Sequence, residues 1–258
     1  MIKEEIKFEN SYCFEGMTSI RAVIKAIDQG ASDRKIERIL FDGAKLKKIS
    51  KEIGYFRAVS DKYGFELVKS NEEEIGKYTL GNSHGGIIAL CSSRTIPVLS
   101  TADIKQNGFY AMIQGIEDPY NFGYAIRSLY ACGCDGIILG ERNWMSAAGV
   151  VCRSSAGASE LLPMYTLPDL DAINLFKSQS YKIVCADLRT DNLLGHTSLP
   201  SSLLLVVGGE KRGISADIIA SSDILVKIPY AREFGASLSA ASAATMFAFE
   251  IMRQRGSN

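Results

Sequence analysis

Five near-continuous runs of apolar residues constrain the fold of this chain more than any other feature. They occupy residues 109–116, 136–140, 181–188, 203–207 and 224–228. Segments with helical spacing follow them at residues 122–132, 147–158, 170–178 and 237–255. Strands that are apolar on both faces and alternate with helices are typical of a parallel sheet covered on both sides. The sequence therefore predicts an α/β fold that binds its ligand at the carboxyl ends of the strands.

The first hundred residues show a smaller pattern of alternating elements. Ile20, Val23, Ile24 and Ile27 share one helical face, which predicts a helix over residues 17–29. Further elements are predicted as a helix at residues 46–62 and as strands at residues 36–41, 64–69 and 85–90. Polar, Ser-rich and Pro-containing sequence at residues 91–106 is typical of a linker. We therefore expect a small α/β domain at residues 1–98 and a larger domain at residues 99–258.

Charge and hydropathy exclude some classes of protein. The 258 residues include 29 basic and 29 acidic side chains, so any nucleic-acid site must be a local patch rather than a general basic coat. No apolar run approaches the ~18 residues of a membrane span. The first ten residues mix charges where a signal peptide would be apolar. We expect a cytoplasmic protein that does not contact the membrane.

The cysteines are not arranged as a metal or redox site. Six cysteines lie in apolar or Gly-rich surroundings, and only two histidines are present to complete a metal site. Cys132-Gly-Cys134 lacks the two-residue spacer of zinc and redox motifs. A chain of this length also buries a core without disulfide support. We expect reduced, buried cysteines and no metal.

The first informative motif is the segment from Asp118 to Gly133, between two predicted strands. Asp118 or Asn121 is placed to cap a helix, and Gly133 to end it. Arg127, on the same helix, has the chemistry to bind an anion or a ribose. A surface or domain-interface arginine is the alternative interpretation.

The second motif, Leu203 to Ser215, is an apolar strand that runs into a Gly-rich turn. Gly208 and Gly209 are expected to leave backbone N–H groups available for a ligand. Ile214 stands where a phosphate-binding loop requires its lysine, which argues against an NTPase. The glycine spacing also fails the dinucleotide fingerprint.

The third motif is a strand that ends at Ile228-Pro229, followed by a loop and a helix rich in small residues. Ser237 is expected to cap this helix. The small residues allow close approach to another backbone; they are Ala240, Ala241, Ala243, Ala244 and Ala248. The helix is therefore either tightly buried or part of a subunit interface.

In this order, the three motifs resemble those of the SpoU or TrmH class of RNA 2'-O-ribose methyltransferases, in the SPOUT superfamily. Asn121-Phe-Gly123 with Arg127 resembles the first family motif, and Gly208-Gly-Glu210 with Gly213 the second. Ile228-Pro229 with Ser237-Leu238 resembles the third, and Arg153-Ser-Ser-Ala-Gly-Ala158 a segment that follows the first. The resemblance covers about residues 109–255. Glu15-Gly-Met17 and residues 83–89 resemble an L30e-like RNA substrate-binding domain that is often fused to this catalytic domain.

The resemblance implies a C-terminal knotted (trefoil) methyltransferase domain that uses S-adenosylmethionine and methylates a ribose of rRNA or tRNA. Cofactor-binding residues carried over from the motifs are Gly208, Gly209, Ile228 and Leu238. Residues that would face the transfer site are Asn121, Arg127, Glu210 and Ser237. Family members are homodimers in which the second subunit completes the site. Periodicity by itself does not predict a knot, because knots are so rare.

The resemblance also suggests a role for Arg127. A guanidinium has a pKa above ~12 and is a poor base. We therefore expect Arg127 to bind the 3'-phosphate and stabilise developing alkoxide, while phosphate, Glu210 or water takes the proton.

Two departures from the family pattern keep alternatives open. Ser239 replaces the usual Asn, and the loop before Leu238 is one residue longer than usual. One alternative is a non-catalytic RNA-binding protein that retains the fold. Another is a nucleotide-binding enzyme that uses the Gly208 loop, which ATP rather than S-adenosylmethionine would protect against heat.

Overall fold

A computed structural model describes residues 12–79, 84–140, 144–209 and 211–256 of the chain. The strands in these ranges are β1 (Cys13–Glu15), β2 (Ile36–Asp42), β3 (Glu66–Ser70), β4 (Ile87–Cys91), β5 (Phe109–Gln114), β6 (Gly136–Leu139), β7 (Met164–Thr166), β8 (Lys182–Ala186), β9 (Leu203–Gly208) and β10 (Ile224–Val226). The helices are α1 (Gly16–Asp28), α2 (Ser50–Tyr63), α3 (Glu72–Gly76), α4 (Pro119–Ala131), α5 (Ala148–Ser154), α6 (Ala158–Leu161), α7 (Asp169–Ser178), α8 (Ala216–Ala220) and α9 (Ala240–Arg255). None of these helices is long and apolar enough to cross a membrane.

The chain forms two compact units that do not follow the chain order. The first combines residues 1–95 with residues 144–161, and the second combines residues 96–143 with residues 162–258. The sequence analysis had assigned all residues after 98 to one domain, whereas the segment 144–161 packs with the N-terminal residues. Separate folding of residues 1–98 and 99–258 stays a prediction.

The first unit is built on a four-stranded mixed sheet in the order β1-β4-β2-β3. β2 and β3 are parallel, and β4 is antiparallel to both β1 and β2. Helix α1 buries Ile20, Val23 and Ile24 in the core of this unit, as its helical spacing predicted. The strand β1 was missed, because three residues are too few to show a period.

The segment 144–161 of this unit is not the continuous helix that its apolar spacing predicted. Helix α5 ends at Ser154, and α6 begins only at Ala158. Between them Ala156 and Gly157 adopt positive φ angles of 52° and 89°, which a right-handed helix does not allow. The prediction of one helix over residues 147–158 is therefore wrong.

A buried ion pair connects this segment to the start of β2. The Nε of Arg34 lies 3.1 Å from Oε2 of Glu160, and both side chains are fully buried. The guanidinium also donates to the Ser92 carbonyl at 2.5 Å and lies 4.7 Å from the ring centroid of Phe14. Arg94 donates nearby to the carbonyls of Ser159 and Glu160. Burial lowers the pKa of Arg94.

The second unit contains a six-stranded sheet in the order β10-β8-β9-β5-β6-β7. Every pair of neighbouring strands in it is parallel, which confirms the predicted fold class. The strand β9 lies between β5 and β8. The connection after β5 leads to β6 on one side of this central pair, whereas the connection after β9 leads to β10 on the other side. In such sheets, ligands bind where the direction of winding changes.

Helices cover both faces of this sheet. Alternate residues of β5 and β9, such as Tyr110 and Val206, pack with α7 and α8 in one apolar core. Phe176 of α7 contributes a ring whose centroid is 5.0 Å from that of Tyr110. Helix α9 also packs against β9, and it runs alongside α4. The hydroxyl of Thr245 on α9 donates to that of Ser128 on α4 at 2.7 Å.

The cysteines are free thiols, and all except the half-buried Cys132 are buried. Burial raises the pKa of Cys13 and Cys134 to about 12, so these thiols remain protonated and unreactive at neutral pH. The structure therefore agrees with the expected reduced state for all six cysteines and with the expected burial for five of them.

Candidate functional site

A cavity of about 350 Å³ opens at the carboxyl ends of β8, β9 and β10. Its walls come from the segments that follow these three strands and from the first turns of α9. The residues that line it are Ala186, Asp187, Leu188, Arg189, Val207, Gly208, Gly209, Gly213, Ile214, Val226, Lys227, Ile228, Tyr230, Ser237, Leu238, Ala243 and Phe247. The cavity therefore lies at the sheet edge where the sequence placed the ligand, and its volume suits a small molecule.

Most of the wall is apolar. Val207, Val226 and Phe247 are almost completely buried beneath the cavity, and Ile214 and Ile228 are each 8 % exposed. Such surfaces take up flat or aliphatic parts of a ligand, while polar groups of the surrounding loops fix its orientation. The apolar wall was predicted only in part, since Ile228 and Leu238 come from a recognised motif but Phe247 does not.

Gly208 and Gly209 allow two backbone segments to approach each other closely at this site. A Cβ atom on Gly208 would lie 2.5 Å from the carbonyl carbon of Gly213, and one on Gly209 would lie 2.1 Å from the oxygen of Gly115. The N–H of Gly209 donates to the Gln114 oxygen at 2.6 Å. The expectation that both glycines leave free N–H groups is therefore wrong for Gly209. A larger residue at either position would displace backbone rather than fill the cavity.

The loop before α9 presents Ser237 and Leu238 to the cavity. The N–H of Leu238 donates to the hydroxyl of Tyr230 at 3.2 Å, which joins the end of the loop to its beginning. Ser237 does not cap the helix as expected, because the helix begins three residues later at Ala240.

Ser239 is the residue that caps α9. Its hydroxyl accepts from the Ser242 N–H at 3.2 Å. Serine and asparagine are comparably good N-caps. An asparagine at this position would therefore be able to fill the same capping role as Ser239.

Asp187 and Arg189 form an ion pair at the cavity that the sequence analysis missed. The Nε of Arg189 lies 2.9 Å from Oδ1 of Asp187, and its Nη2 lies 2.7 Å from Oδ2. These hydrogen bonds lower the pKa of Asp187, so the carboxylate stays ionised at neutral pH. The available signal was positional, because Asp187 directly follows Ala186 at the carboxyl end of a buried strand.

The residues of the first motif lie on α4. Asp118 caps this helix by accepting from the Tyr120 N–H at 3.0 Å, as predicted. Asn121 is half-buried and Arg127 is exposed. Neither belongs to the described residues that line the cavity. The structure thus brings Gly208, Gly209, Ile228, Ser237 and Leu238 together around the cavity. Asn121 and Arg127 are not among the described residues that line it, and Glu210 lies outside the described residues.

The small residues of α9 face the interior of their own unit. Ala240, Ala241, Ala244 and Ala248 are buried there, so close packing within the chain explains them. The exposed faces of α4 and α9 instead carry large apolar side chains. Tyr124 and Phe249 are 50 % and 55 % exposed, and Met246 is 42 % exposed. We call these three residues the exposed apolar face.

Comparison with known proteins places the chain among RNA-modifying proteins. Residues 108–249 match the SpoU rRNA Methylase family. An "uncharacterized tRNA/rRNA methyltransferase" of Borreliella burgdorferi is 25 % identical over 201 residues, which cover 73 % of this chain and 88 % of the relative.

Two solved structures share the fold. One, described as an RNA 2'-O ribose methyltransferase, superposes with a TM-score of 0.78 at 20 % identity, covering 94 % of this chain and 88 % of that protein. The other is the SpoU methyltransferase AviRb from Streptomyces viridochromogenes in complex with the cofactor AdoMet. It superposes with a TM-score of 0.76 at 23 % identity, covering 95 % of this chain and 91 % of that protein.

Proposed function

The chain belongs to the SpoU rRNA Methylase family, and from that premise we propose that it transfers a methyl group from S-adenosylmethionine to a ribose 2'-hydroxyl of rRNA or tRNA. The observation that carries this proposal is the cavity at the strand ends. Residues of the second and third motifs, Gly208, Ile228 and Leu238, meet there. The similarity in fold to an RNA 2'-O ribose methyltransferase supports the choice of the ribose oxygen as acceptor.

The cavity fits S-adenosylmethionine in size and chemistry. The wall formed by Ile228, Leu238 and Phe247 would hold the adenine, and backbone groups of the segment that contains Gly208 and Gly209 would surround the rest. When bound, the cofactor supplies an activated methyl group on a sulfonium, so the protein needs no strong electrophile of its own. Asp187, kept ionised by Arg189, offers carboxylate oxygens to hydroxyl or ammonium groups of the cofactor.

The chain's own residues would position the acceptor ribose and lower the energy of its developing negative charge. Arg127 would bind the phosphate beside the ribose and stabilise the alkoxide as a fixed cation. Asn121 and Ser237 would orient the hydroxyl by hydrogen bonding, and phosphate, Glu210 or water would take the proton.

A homodimer would bring Arg127 to the cavity. Arg127 is exposed on α4 and does not line the cavity of its own chain. The exposed apolar face, Tyr124, Met246 and Phe249, lies on α4 and α9 and would be covered by the same face of a second copy. In such a dimer, α4 of one subunit would complete the site of the other. A trefoil knot in residues 99–258 and an L30e-like RNA-binding role for residues 1–98 belong to this proposal as well.

Cofactor binding is expected to stabilise the folded chain. S-adenosylmethionine at ~100 times its dissociation constant adds about 2.7 kcal/mol, or a rise of roughly 5–10 °C in Tm. Ala243→Met would fill the cavity and abolish the rise, whereas Ala220→Met, at an exposed position at the end of α8, would leave it unchanged. Differential scanning fluorimetry measures the shift. A rise with ATP, but not with S-adenosylmethionine, would instead support the nucleotide-binding alternative.

Methyl transfer itself tests the function. Total RNA from a strain that lacks the gene is expected to accept labelled methyl groups from the protein, and mapping of the lost modification would identify a ribose 2'-oxygen. Cofactor binding without transfer to this RNA would support the non-catalytic alternative, which no feature of the described site favours.

Phe249→Glu is expected to separate the subunits, because a charge would be buried at the centre of the apolar contact. We expect the dimer dissociation constant to rise by at least about thirtyfold, the effect of losing a strong interface residue. Leu170→Glu, at a side chain that is 43 % exposed on α7, serves as the matched control and should leave the dimer intact. Analytical ultracentrifugation measures both. A parent protein that stays monomeric at micromolar concentration would refute the dimer and the shared site together.

A further inference from the structure

The loop between β10 and α9 carries a pair of aromatic rings beside the cavity. Tyr230 lines the cavity, and its hydroxyl accepts from the Leu238 N–H. The ring centroid of Phe234 lies 6.0 Å from that of Tyr230, with 62° between the ring planes. Phe234 therefore contacts a residue of the cavity wall, and the ring of Tyr230 connects it to the cavity.

Phe234 is nevertheless 57 % exposed, a larger exposed fraction than that of any other phenylalanine or tyrosine among the described residues. Its edge contact with Tyr230 covers only part of the ring, and the rest of the ring is exposed to solvent. Single exposed apolar side chains are common on protein surfaces; what distinguishes Phe234 is that it lies beside a ligand cavity and contacts a residue of the cavity wall.

We propose that Phe234 stacks on the base of the nucleotide whose ribose is methylated. This inference rests on the proposed function. A nucleotide must leave its neighbours before its ribose enters a recessed cavity, and its base then loses stacking on both faces. An aromatic ring beside the cavity replaces part of that stacking, and it does so for any base, because every base has a π-face.

The charges around the cavity mouth fit an RNA strand. Arg232 lies two residues before Phe234 and is exposed, and Arg212 is exposed next to Gly213 of the cavity wall. The side chain of Arg189 is 70 % exposed although it pairs with Asp187. One guanidinium group can donate two parallel hydrogen bonds to a phosphate group. Contacts to phosphates fix the position of an RNA strand without reading its sequence. Glu233 and Asp187 place two carboxylates among these three arginines, so a small excess of positive charge remains. That excess favours a nucleic acid over an apolar protein segment.

The test compares Phe234→Ala and Phe234→Leu with Phe234→Tyr. Methyl transfer is measured with total RNA from a strain that lacks the gene, and the affinity for the same RNA is measured by filter binding. We expect KM for RNA to rise about tenfold in the alanine and leucine variants with kcat nearly unchanged, because stacking persists from the bound state to the transition state. Tyrosine keeps the π-face and should stay within about twofold of the parent. Leu170→Ala, which removes another exposed apolar side chain, is the matched control.

Each outcome decides between stacking and a different role. Parental KM in Phe234→Ala would refute the proposal, and Phe234→Leu behaving like Phe234→Tyr would show a merely apolar contact. Loss of S-adenosylmethionine binding in Phe234→Ala would show a structural role and refute it as well. A parent that binds RNA but transfers no methyl would overturn the proposed function and, with it, a methylated nucleotide as the one that Phe234 contacts. A parental RNA affinity in Phe234→Ala would refute the stacking itself, whether or not a methyl group is transferred. A parent that does not bind RNA would overturn both.

Discussion

Arg127→Ala is expected to slow methyl transfer by about a hundredfold or more while S-adenosylmethionine binds as tightly as before. A fixed cation that stabilises charge only in the transition state acts on kcat, and its loss costs about 10²–10³ in rate. The cavity should remain intact, because Arg127 is exposed on α4 and does not line it. Single-turnover transfer to RNA and calorimetric titration of the cofactor, made on the same samples, measure the two effects.

The lysine variant and a distant arginine refine this test. Arg127→Lys keeps the charge but loses the planar fork that binds phosphate through two hydrogen bonds, so it should restore the rate only in part. Arg57→Ala removes an equally exposed arginine from α2 and should leave the single-turnover rate unchanged. Equal rates in the parent and in Arg127→Ala would remove Arg127 from the mechanism. Such equal rates would support the alternative interpretation, in which Arg127 is a surface arginine.

Glu160→Gln is expected to lower the free energy of unfolding by about 3 kcal/mol, because removal of one partner leaves a buried charge without compensation. Here the exposed fraction of both side chains in the Arg34–Glu160 pair is 0 %. Arg94 donates to the backbone of the same segment. In the variant, Arg34 and Arg94 would therefore lie near each other without the Glu160 carboxylate to balance their charges. Urea denaturation followed by circular dichroism measures the change.

The same substitution at an exposed pair supplies the control. Lys77 and Glu74 lie 2.5 Å apart, with side chains 60 % and 41 % exposed. Glu74→Gln should therefore change the free energy of unfolding by well under 1 kcal/mol. A similar, small change in both variants would mean that water reaches the Arg34–Glu160 pair, contrary to its burial.

The sequence predicted those helices and strands that are specified by residues close together along the chain, such as apolar runs and helix caps. Strands β5 and β9 were located because their residues are apolar on both faces. The helix α4 was located by its apolar spacing at residues 122–132, but it begins three residues earlier, at Pro119, with Asp118 rather than Asn121 as its cap. The third motif failed in one detail. Ser237, Ser239 and Ser242 are all able to cap a helix, and only the Tyr230–Leu238 hydrogen bond with the path of the loop selects Ser239.

The sequence by itself determined the fold class, the family and five residues of the cavity, because apolar runs and motif spacing depend on neighbours along the chain. Tertiary structure alone decided that residues 144–161 pack with the N-terminal unit, through an Arg34–Glu160 pair whose members are 126 residues apart. It also decided that Gly209 serves the approach of the Gly115 backbone, and that four of the five alanines of α9 are buried inside the chain. Each of these facts depends on which distant segment occupies the neighbouring space, and no local pattern carries that information.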